Sequence, residues 1–319
     1  MGVERLWRNF MTLPEACDWI AVDWGTSRLR VWAMDAQGAA MAHATSDQGM
    51  GVLAQGAFES ALMALIAPWL GDARVPVIVC GMAGAREGWR QAAYRAVPCA
   101  PVAAGGLTPV PTDDPRLDVR IVPGLSQQTH ADVMRGEETQ IAGFLRADPG
   151  FEGVACLPGT HSKWVDVQSG KIVRFQTFMT GELFDLLADK SILRHMIARE
   201  QGADDAAGDA AFDAAARWAL VDGPAVAAQL FGLRAAGLLH GPDPVAARAR
   251  LSGLLIGSEL CAARAYWMGR KVHLIGDGPV ADRYARALTA SGCSLARLDA
   301  EALTLGGLAL VREMIKDAA

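Results

Sequence analysis

The chain alternates between short apolar runs that end at glycine turns and longer stretches with apolar residues at helical spacing. The first run, Trp19-Ile20-Ala21-Val22, predicts a buried strand that delivers Asp23 to a turn of Gly25, Thr26 and Ser27. Beyond the turn the pattern has period two: Leu29, Val31 and Ala33 fall on one face, and Arg28, Arg30 and Trp32 on the other. That is the return strand of a hairpin. The same plan recurs at 154–167, with Gly159, Thr160, His161, Ser162 and Lys163 around the turn. Gly25-Thr26 lies over Gly159-Thr160, and each return strand soon reaches a second turn glycine, Gly38 or Gly170. Only the first copy carries an aspartate; the second offers Lys163. Two such hairpins, one per half, predict two domains of related plan.

The remaining pattern fills in an α/β chain. A third strand is expected at 41–44, a helix at 58–70 that stops at Gly71, and a buried strand at 76–80 running into the glycine-rich loop 81–89. A strand and turn at 120–125 lead through Asp132, Arg135, Glu137 and Glu138 into a helix at 138–145. In the second half, Thr180-Gly181-Glu182 reads as the cap of a helix at 183–187, and helix continues at 191–199. The Asp/Ala-rich stretch 202–216 reads as an exposed helical insertion. Helices are expected at 225–239, 248–267 and 280–290, and a closing helix at 305–315 that starts around Gly306-Gly307. The strand 272–275 ends in the turn Gly276-Asp277-Gly278, which suits a nucleotide base or ribose and also any strand-to-helix unit.

Composition narrows the class. At 319 residues the chain is long enough for two domains, and its 51% hydrophobic and 20% charged residues are those of a globular protein. A net charge of −5 argues against a nucleic-acid partner. No apolar run reaches the roughly 18 residues a membrane span requires. Residues 1–17 lack the apolar core of a signal peptide and read as an N-terminal extension. The six cysteines show no C-x-x-C spacing and the six histidines no H-x-x-x-H pair, so reduced thiols of a cytoplasmic protein are expected and a zinc site is not.

An acid, a glycine and two hydroxyls at a hairpin tip suit a phosphate and its metal. Glycine lets the backbone approach, exposed N–H groups form an anion nest, and Asp23 can hold Mg²⁺ directly or through water. An ordinary polar turn carries the same residue types; the second copy is what gives the pattern weight. The chain resembles the actin/hexokinase/Hsp70-like ATPase superfamily. More closely, it resembles the 2-dehydro-3-deoxygalactonokinase family through Val22-Asp23-Trp24-Gly25-Thr26-Ser27, Gly81-Met82-Ala83-Gly84, Ile121-Val122-Pro123-Gly124-Leu125, Val133-Met134-Arg135-Gly136-Glu137-Glu138-Thr139-Gln140, Leu157-Pro158-Gly159-Thr160-His161-Ser162-Lys163-Trp164, Met179-Thr180-Gly181-Glu182-Leu183 and Leu254-Leu255-Ile256-Gly257. These blocks run from about residue 19 to about 310.

The resemblance implies a two-domain actin-like ATPase (ribonuclease H-like) α/β fold, with mixed sheets flanked by helices and a cleft between domains. It sets an extension at 1–18, a first domain at 19–148 and a second at 149–319. It implies ATP-dependent phosphorylation of 2-dehydro-3-deoxy-D-galactonate at the C6 hydroxyl. ATP and Mg²⁺ would then be held by Asp23, Gly25, Thr26, Ser27, Gly159, Thr160, His161, Lys163, Gly276 and Gly278, with Asp23 on the metal and Arg30 or Lys163 adding charge. Lys163 on a return strand equally suits a solvent-facing role. The loop of Gly84, Arg86 and Trp89, with Arg135, is the candidate for the sugar acid. In kinases of this fold the base sits at the N-terminus of the helix after the 121–125 strand. Glu137 is preferred there, because Glu138 begins the apolar-periodic helix and suits packing or capping; Asp132 is the alternative. Acids at a helix N-terminus also simply compensate its dipole. A ketose or hexose kinase and a non-catalytic ATP-binding relative remain the competing functions, and a homodimer is left open.

Overall fold

The computed structural model describes residues 17–198 and 206–317, so the extension at 1–16 and the start of the Asp/Ala-rich stretch lie outside it. The chain divides into two compact units. One comprises Met1–Phe151, Gly170–Ile172 and Ala300–Ala319, the other Glu152–Ser169 and Val173–Asp299. The last segment therefore belongs with the first unit, where the sequence had placed 300–319 in the second domain.

In the first unit the strands are β1 (Trp19–Trp24), β2 (Leu29–Met34), β3 (Ala40–Ser46), β4 (Val75–Gly81), β5 (Tyr94–Ala96), β6 (Thr108–Val110), β7 (Leu117–Ile121), β8 (Gly124–Gln127) and β9 (Asp132–Met134). Its helices are α1 (Phe58–Ile66) and α2 (Glu137–Ala147). The main sheet has the order β3-β2-β1-β4-β7-β6, with β1–β2 antiparallel and β1–β4–β7 parallel. The strands β5, β8 and β9 form a small separate sheet.

The second unit repeats the plan with β10 (Gly153–Leu157), β11 (Ser162–Gln168), β12 (Lys171–Phe178), β13 (Lys271–Ile275) and β14 (Ser294–Leu298). The order is β12-β11-β10-β13-β14, again with an antiparallel hairpin and then parallel strands. Gly38 and Gly170 both adopt positive φ in the turns that close the second hairpin of each sheet. The helices are α3 (Thr180–Asp185), α4 (Ala206–Val221), α5 (Val226–His240), α6 (Pro244–Ala262), α7 (Arg264–Trp267) and α8 (Gly278–Ala290); α9 (Ala300–Asp317) returns to the first unit. Two strands sharing one parallel neighbour and one hairpin, twice over, is the duplicated ribonuclease H-like arrangement. Among the described residues no helix is long and apolar enough to cross a membrane.

Period-two alternation explains why β1 reads as one apolar run: both faces are covered. Ile20, Val22 and Trp24 join Phe58, Leu62 and Val77 in a core on the α1 side. Trp19 and Ala21 pack with Trp32, Ile78, Leu308 and Val311 on the other side. Asp23 follows the second set, so its carboxylate emerges on the face that α9 covers.

Several helices differ from the expected ones, and at two helix crossings the reason is close backbone approach. The α9 helix runs straight through Gly306-Gly307. A Cβ on Gly307 would sit 1.9 Å from the Thr139 carbonyl oxygen, and one on Gly143 1.9 Å from that of Leu303. These glycines mark where α2 and α9 cross, not where a helix begins. In the second unit Gly253 and Gly257 of α6 face Phe212 and Ala216 of α4, whose carbonyl oxygens lie 2.4 Å from the ideal Cβ positions. The described part of the Asp/Ala-rich stretch is thus no exposed insertion: Phe212 is fully buried and Ala215 and Ala216 are buried. The expected helix at 248–267 breaks into α6 and α7, and the helix at 191–199 is only a single 3-10 turn, Ile192–His195, with Arg199 outside the described residues.

Candidate active site

The first hairpin brings Asp23 opposite Arg30 in the β1–β2 register. The Arg30 guanidinium contacts one Asp23 oxygen, and the Cys80 thiol lies 3.9 Å from the other. Burial disfavours the charge on Arg30, but the Asp23 carboxylate more than offsets it and the arginine pKa rises. The α9 residue Glu301 stands 3.9 Å from the same guanidinium. The tip itself is open: Thr26 and Ser27 are exposed, and a Cβ on Gly25 would meet only the Arg28 carbonyl, at 3.4 Å. What supports the tip is the loop at 47–51. Met50 and Gly51 donate to the carbonyls of Gly25 and Thr26 at 3.0 and 2.8 Å, and Gly49 lies so close to Ser27 that a side chain there would overlap the backbone.

At the end of the neighbouring strand, Gly81 has φ +88° and would press a Cβ to 2.6 Å from the Trp24 carbonyl. Gly136, φ +106°, approaches Gly81 in turn and opens α2 beside it. The three acids near α2 therefore have distinct settings. Asp132 is partly buried in β9, with an oxygen accepting from the Val133 amide at 2.8 Å. Glu137 is partly exposed and accepts from the Arg135 amide at 2.9 Å. Glu138 is fully buried, accepting from the Gly136 amide at 2.8 Å and the Thr139 hydroxyl at 3.1 Å. Burial, then the neighbouring Glu137 charge, pushes its pKa up to about 8.

The residues named for the sugar acid separate. Arg135 is buried with its guanidinium 4.4 Å over the Tyr94 ring, and Nη2 donates to the Ala92 carbonyl at 2.9 Å. Its Nε and Nη1 have no hydrogen-bond partner. Gly84 is the thin spot beside them, since a Cβ there would lie 2.7 Å from Nη1. Arg86 is exposed. Trp89 is committed elsewhere: it stacks on Phe58 at 6.2 Å and meets the Trp24 ring edge-on at 5.8 Å, so it serves the core.

In the second hairpin Thr160 and His161 are exposed, and a Cβ on Gly159 would meet only the His161 carbonyl, at 3.8 Å. His161 Nε2 lies 2.5 Å from a Glu182 oxygen. Lys163 is buried at 5% exposure, which removes the solvent-facing reading. Thr180 does not cap α3; it is the first helical residue and donates its hydroxyl to Glu259. Gly181 packs on the turn, 2.4 Å from the Gly159 carbonyl as measured from an ideal Cβ.

A cavity of about 680 Å³ opens beside this turn, wholly within the second unit. Gly159, Thr160, Thr180 and Gly181 form one end, and residues of α4, α6 and α8 form the walls. Gly276 and Gly278 do not line it. The turn they make ends β13, and the first residues of α8 beyond it, Pro279 and Val280, line the cavity instead.

The profile of the 2-keto-3-deoxy-galactonokinase family matches residues 23–311, nearly the whole described chain. The chain belongs to the 2-keto-3-deoxy-galactonokinase family. It is 43% identical over 302 residues to a protein of Rhizobium meliloti (strain 1021) named a probable 2-dehydro-3-deoxygalactonokinase, covering 92% of this chain and 96% of the relative. It is 33% identical over 281 residues to the 2-dehydro-3-deoxygalactonokinase of Escherichia coli (strain K12), covering 87% and 91%. A crystal structure from Sinorhizobium meliloti assigned to the same enzyme superposes with TM-score 0.85 at 41% identity, over 93% of this chain and 96% of that one. The chain is accordingly a phosphotransferase with an alcohol group as acceptor.

The kinase also carries cavity residues that sequence reasoning missed. Arg286 holds Asp213 through two contacts of 2.6 and 2.7 Å and Asp209 through one of 2.8 Å. Arg283 stacks on Phe212 at 4.6 Å with Nη1 3.3 Å from Asp209. A signal was present: acids four apart on one helix facing arginines three apart on another.

Proposed function

We propose that this kinase transfers the γ-phosphoryl group of ATP to the C6 hydroxyl of 2-dehydro-3-deoxy-D-galactonate, and that the two hairpins and the start of α2 supply the chemistry. The observation that carries the reaction is the family match across residues 23–311. The reading of the individual residues rests on the geometry above.

The cavity beside Gly159 falls within the range of roughly 300–1,000 Å³ typical of small-molecule sites. We assign it to the nucleoside, with the amides of 159–161 directed to the phosphates. The amides of 25–27 are the corresponding donors of the first hairpin. Among the described residues no group of three or more metal-binding side chains exists. Mg²⁺ in kinases keeps several waters and is bound through one or two carboxylates and the substrate phosphates. Asp23 is the carboxylate that would hold it, giving up its contact with Arg30. When bound, the cation neutralises charge on the β- and γ-phosphates.

The C6 oxygen attacks the γ-phosphorus as the bond to the β–γ bridging oxygen breaks, and the hydroxyl proton passes to a carboxylate. We assign that carboxylate to Glu137, which is reachable, whereas Glu138 is sealed and its two oxygens are engaged. For the acid group of the substrate we assign the loop of Gly84 and Arg86, backed by Arg135, whose unpartnered Nε and Nη1 are costly to leave buried without an acceptor. Such a site rejects neutral hexoses, since they leave these donors unmatched. We place the enzyme in the cytoplasm, where ATP is available and the six free thiols stay reduced.

The test is a coupled ADP-release assay across sugar acids, hexoses and ketoses with the purified chain. Turnover of 2-dehydro-3-deoxy-D-galactonate well above that of galactose, glucose and ketoses is expected. Equal turnover of a neutral sugar would overturn the substrate assignment.

A further inference from the structure

Glu259 is a buried carboxylate of the second unit met by four donors, and nothing in the reaction as described uses it. It sits on α6 at 3% exposure. One oxygen accepts from Trp164 Nε1 at 2.7 Å. The other accepts from Ser162 Oγ at 2.8 Å, from the Tyr284 hydroxyl at 2.5 Å, and from Thr180 Oγ1. An ionised carboxylate has about two acceptor positions on each oxygen; here one donor meets Oε1 and three crowd onto Oε2. Burial raises its pKa, and each of the four donors pulls it back toward the charged form.

The four partners come from three separate elements. Ser162 and Trp164 begin β11, directly after the Gly159-Thr160-His161 turn. Thr180 opens α3, whose next residues clamp that turn: Gly181 lies against Gly159, and the Glu182 amide donates to the Thr160 carbonyl at 3.0 Å. Tyr284 is in α8 and, with Thr180, lines the cavity. Glu259 itself does not line it. If the site needed only stability, an apolar side chain would fill the space without the desolvation that a buried charge costs. What four converging donors add is fixed geometry.

We propose that Glu259 is a positioning residue for the nucleotide: its carboxylate locks the phosphate-binding turn at 159–161 and the cavity wall at Thr180 and Tyr284 in one register before ATP arrives. The inference rests on the reading of the cavity as the nucleotide site. Because the effect is transmitted through the turn, it concerns ATP and ADP and leaves the sugar acid alone.

Steady-state kinetics and ADP calorimetry on the full chain test this. Glu259→Gln keeps the shape but brings two N–H donors into an array of donors. It is expected to raise the KM for ATP and the Kd for ADP about tenfold or more, with the KM for the sugar acid within twofold of wild type. Thr180→Val and Tyr284→Phe each remove one donor; both are expected to raise the ATP KM severalfold, and Thr180→Ser to restore it. Combined with Glu259→Gln, Thr180→Val is expected to add little, since both act through the same contact. If Glu259→Gln folds with its ATP KM and ADP Kd unchanged, the proposal fails. If Glu259→Gln does not fold, the proposal stands or falls on Thr180→Val and Tyr284→Phe, and unchanged ATP KM in both overturns it. Ser252→Trp, which fills the cavity from α6, separates the two readings. If wild-type protein binds ADP and Ser252→Trp still binds it equally, the cavity is not the nucleotide site, and that reading fails independently of Glu259.

Discussion

The two hairpins share a backbone plan and differ in where each keeps its acid. In β1–β2 the carboxylate of Asp23 sits on the strand itself, 14% exposed, against one arginine that is 35% exposed. In β10–β11 the turn has no acid of its own; Glu259 reaches it from behind, sealed among four neutral donors. A partly exposed ion pair exchanges partners at small cost, because water and other charges replace what is lost. A carboxylate sealed among four donors has no such exchange open to it, because any lost donor leaves a buried charge short of a partner. The first arrangement suits a ligand that comes and goes, the second a scaffold that holds still. Duplication of the sheet thus gave two similar turns, and the side chains behind each one set what it does.

Exchanging Asp23 for its neutral isostere breaks the comparison at its most sensitive point. Asp23→Asn keeps the shape and can still hydrogen-bond Arg30, so the fold and the melting temperature should be near wild type. Turnover should fall by roughly 10⁴-fold or more, since a metal-side charge is lost where phosphate charge is neutralised. The coupled ADP assay with saturating Mg²⁺ and far-ultraviolet dichroism check both halves. Near-normal kcat would mean that Asp23 serves only its ion pair.

Glu137→Gln sharpens the contrast between reachable and sealed acids within the first unit. A general base contributes about 10²- to 10⁴-fold, so kcat should drop by that order with little change in ATP affinity. If Glu137→Gln remains active while folded Glu138→Gln or Asp132→Asn is dead, the role moves to whichever acid was removed.

These contrasts also show what the residue pattern reveals and what it hides. Both hairpins and the strands β1, β2, β4, β10, β11 and β13 were legible because alternation and apolar runs are local, and Asp23 and Gly159 stand out against them, whereas β9, β12 and β14 went unread. The glycines of α9 were not: Gly306-Gly307 looks like a helix boundary until α2 is known to cross there, and that contact joins residues 143 and 303. The same non-locality moved 300–319 into the first unit and turned the Asp/Ala-rich stretch into a core helix. At the site, Trp89 reads as a substrate residue beside Arg86, and only the rings of Trp24 and Phe58 show that it packs inward. Glu259 carries no sequence signal at all, because its four donors lie up to 97 residues away.

The glycine crossings offer a comparison of the units by stability. Gly143→Ala in α2 places a methyl 1.9 Å from a carbonyl oxygen of α9, and Gly253→Ala in α6 places one 2.4 Å from a carbonyl oxygen of α4. Both are overpacked, at a cost of about 1–3 kcal/mol or more each, since backbone rather than a side-chain end must move. The shorter distance predicts the larger loss for Gly143→Ala. Urea midpoints of the two variants measure it, and equal midpoints would show that the α2–α9 pair can slide apart as easily as α4–α6.

The smallest expected effect concerns pH, and it distinguishes the buried Glu138 from the partly exposed Glu137. Glu138 keeps its proton in the folded protein up to about pH 8, held neutral chiefly by burial and then by the Glu137 charge. In the unfolded chain a glutamate loses its proton near 4.5, the value from which this shift starts. Between those limits the folded state binds the extra proton, so stability falls as pH rises. The contribution of Glu138 is fully present below about 4.5 and is lost progressively as pH passes through about 8. Gln has no proton to lose, so Glu138→Gln should flatten this part of the profile: melting temperatures from pH 5 to 8 should decline more gently than in the wild type. Glu137→Gln should flatten it too, but less, because it removes only the second cause of the shift. A Glu138→Gln variant whose melting profile parallels the wild type throughout that window would show that Glu138 ionises normally, and with it would go the argument that a sealed Glu138 leaves the proton transfer to Glu137.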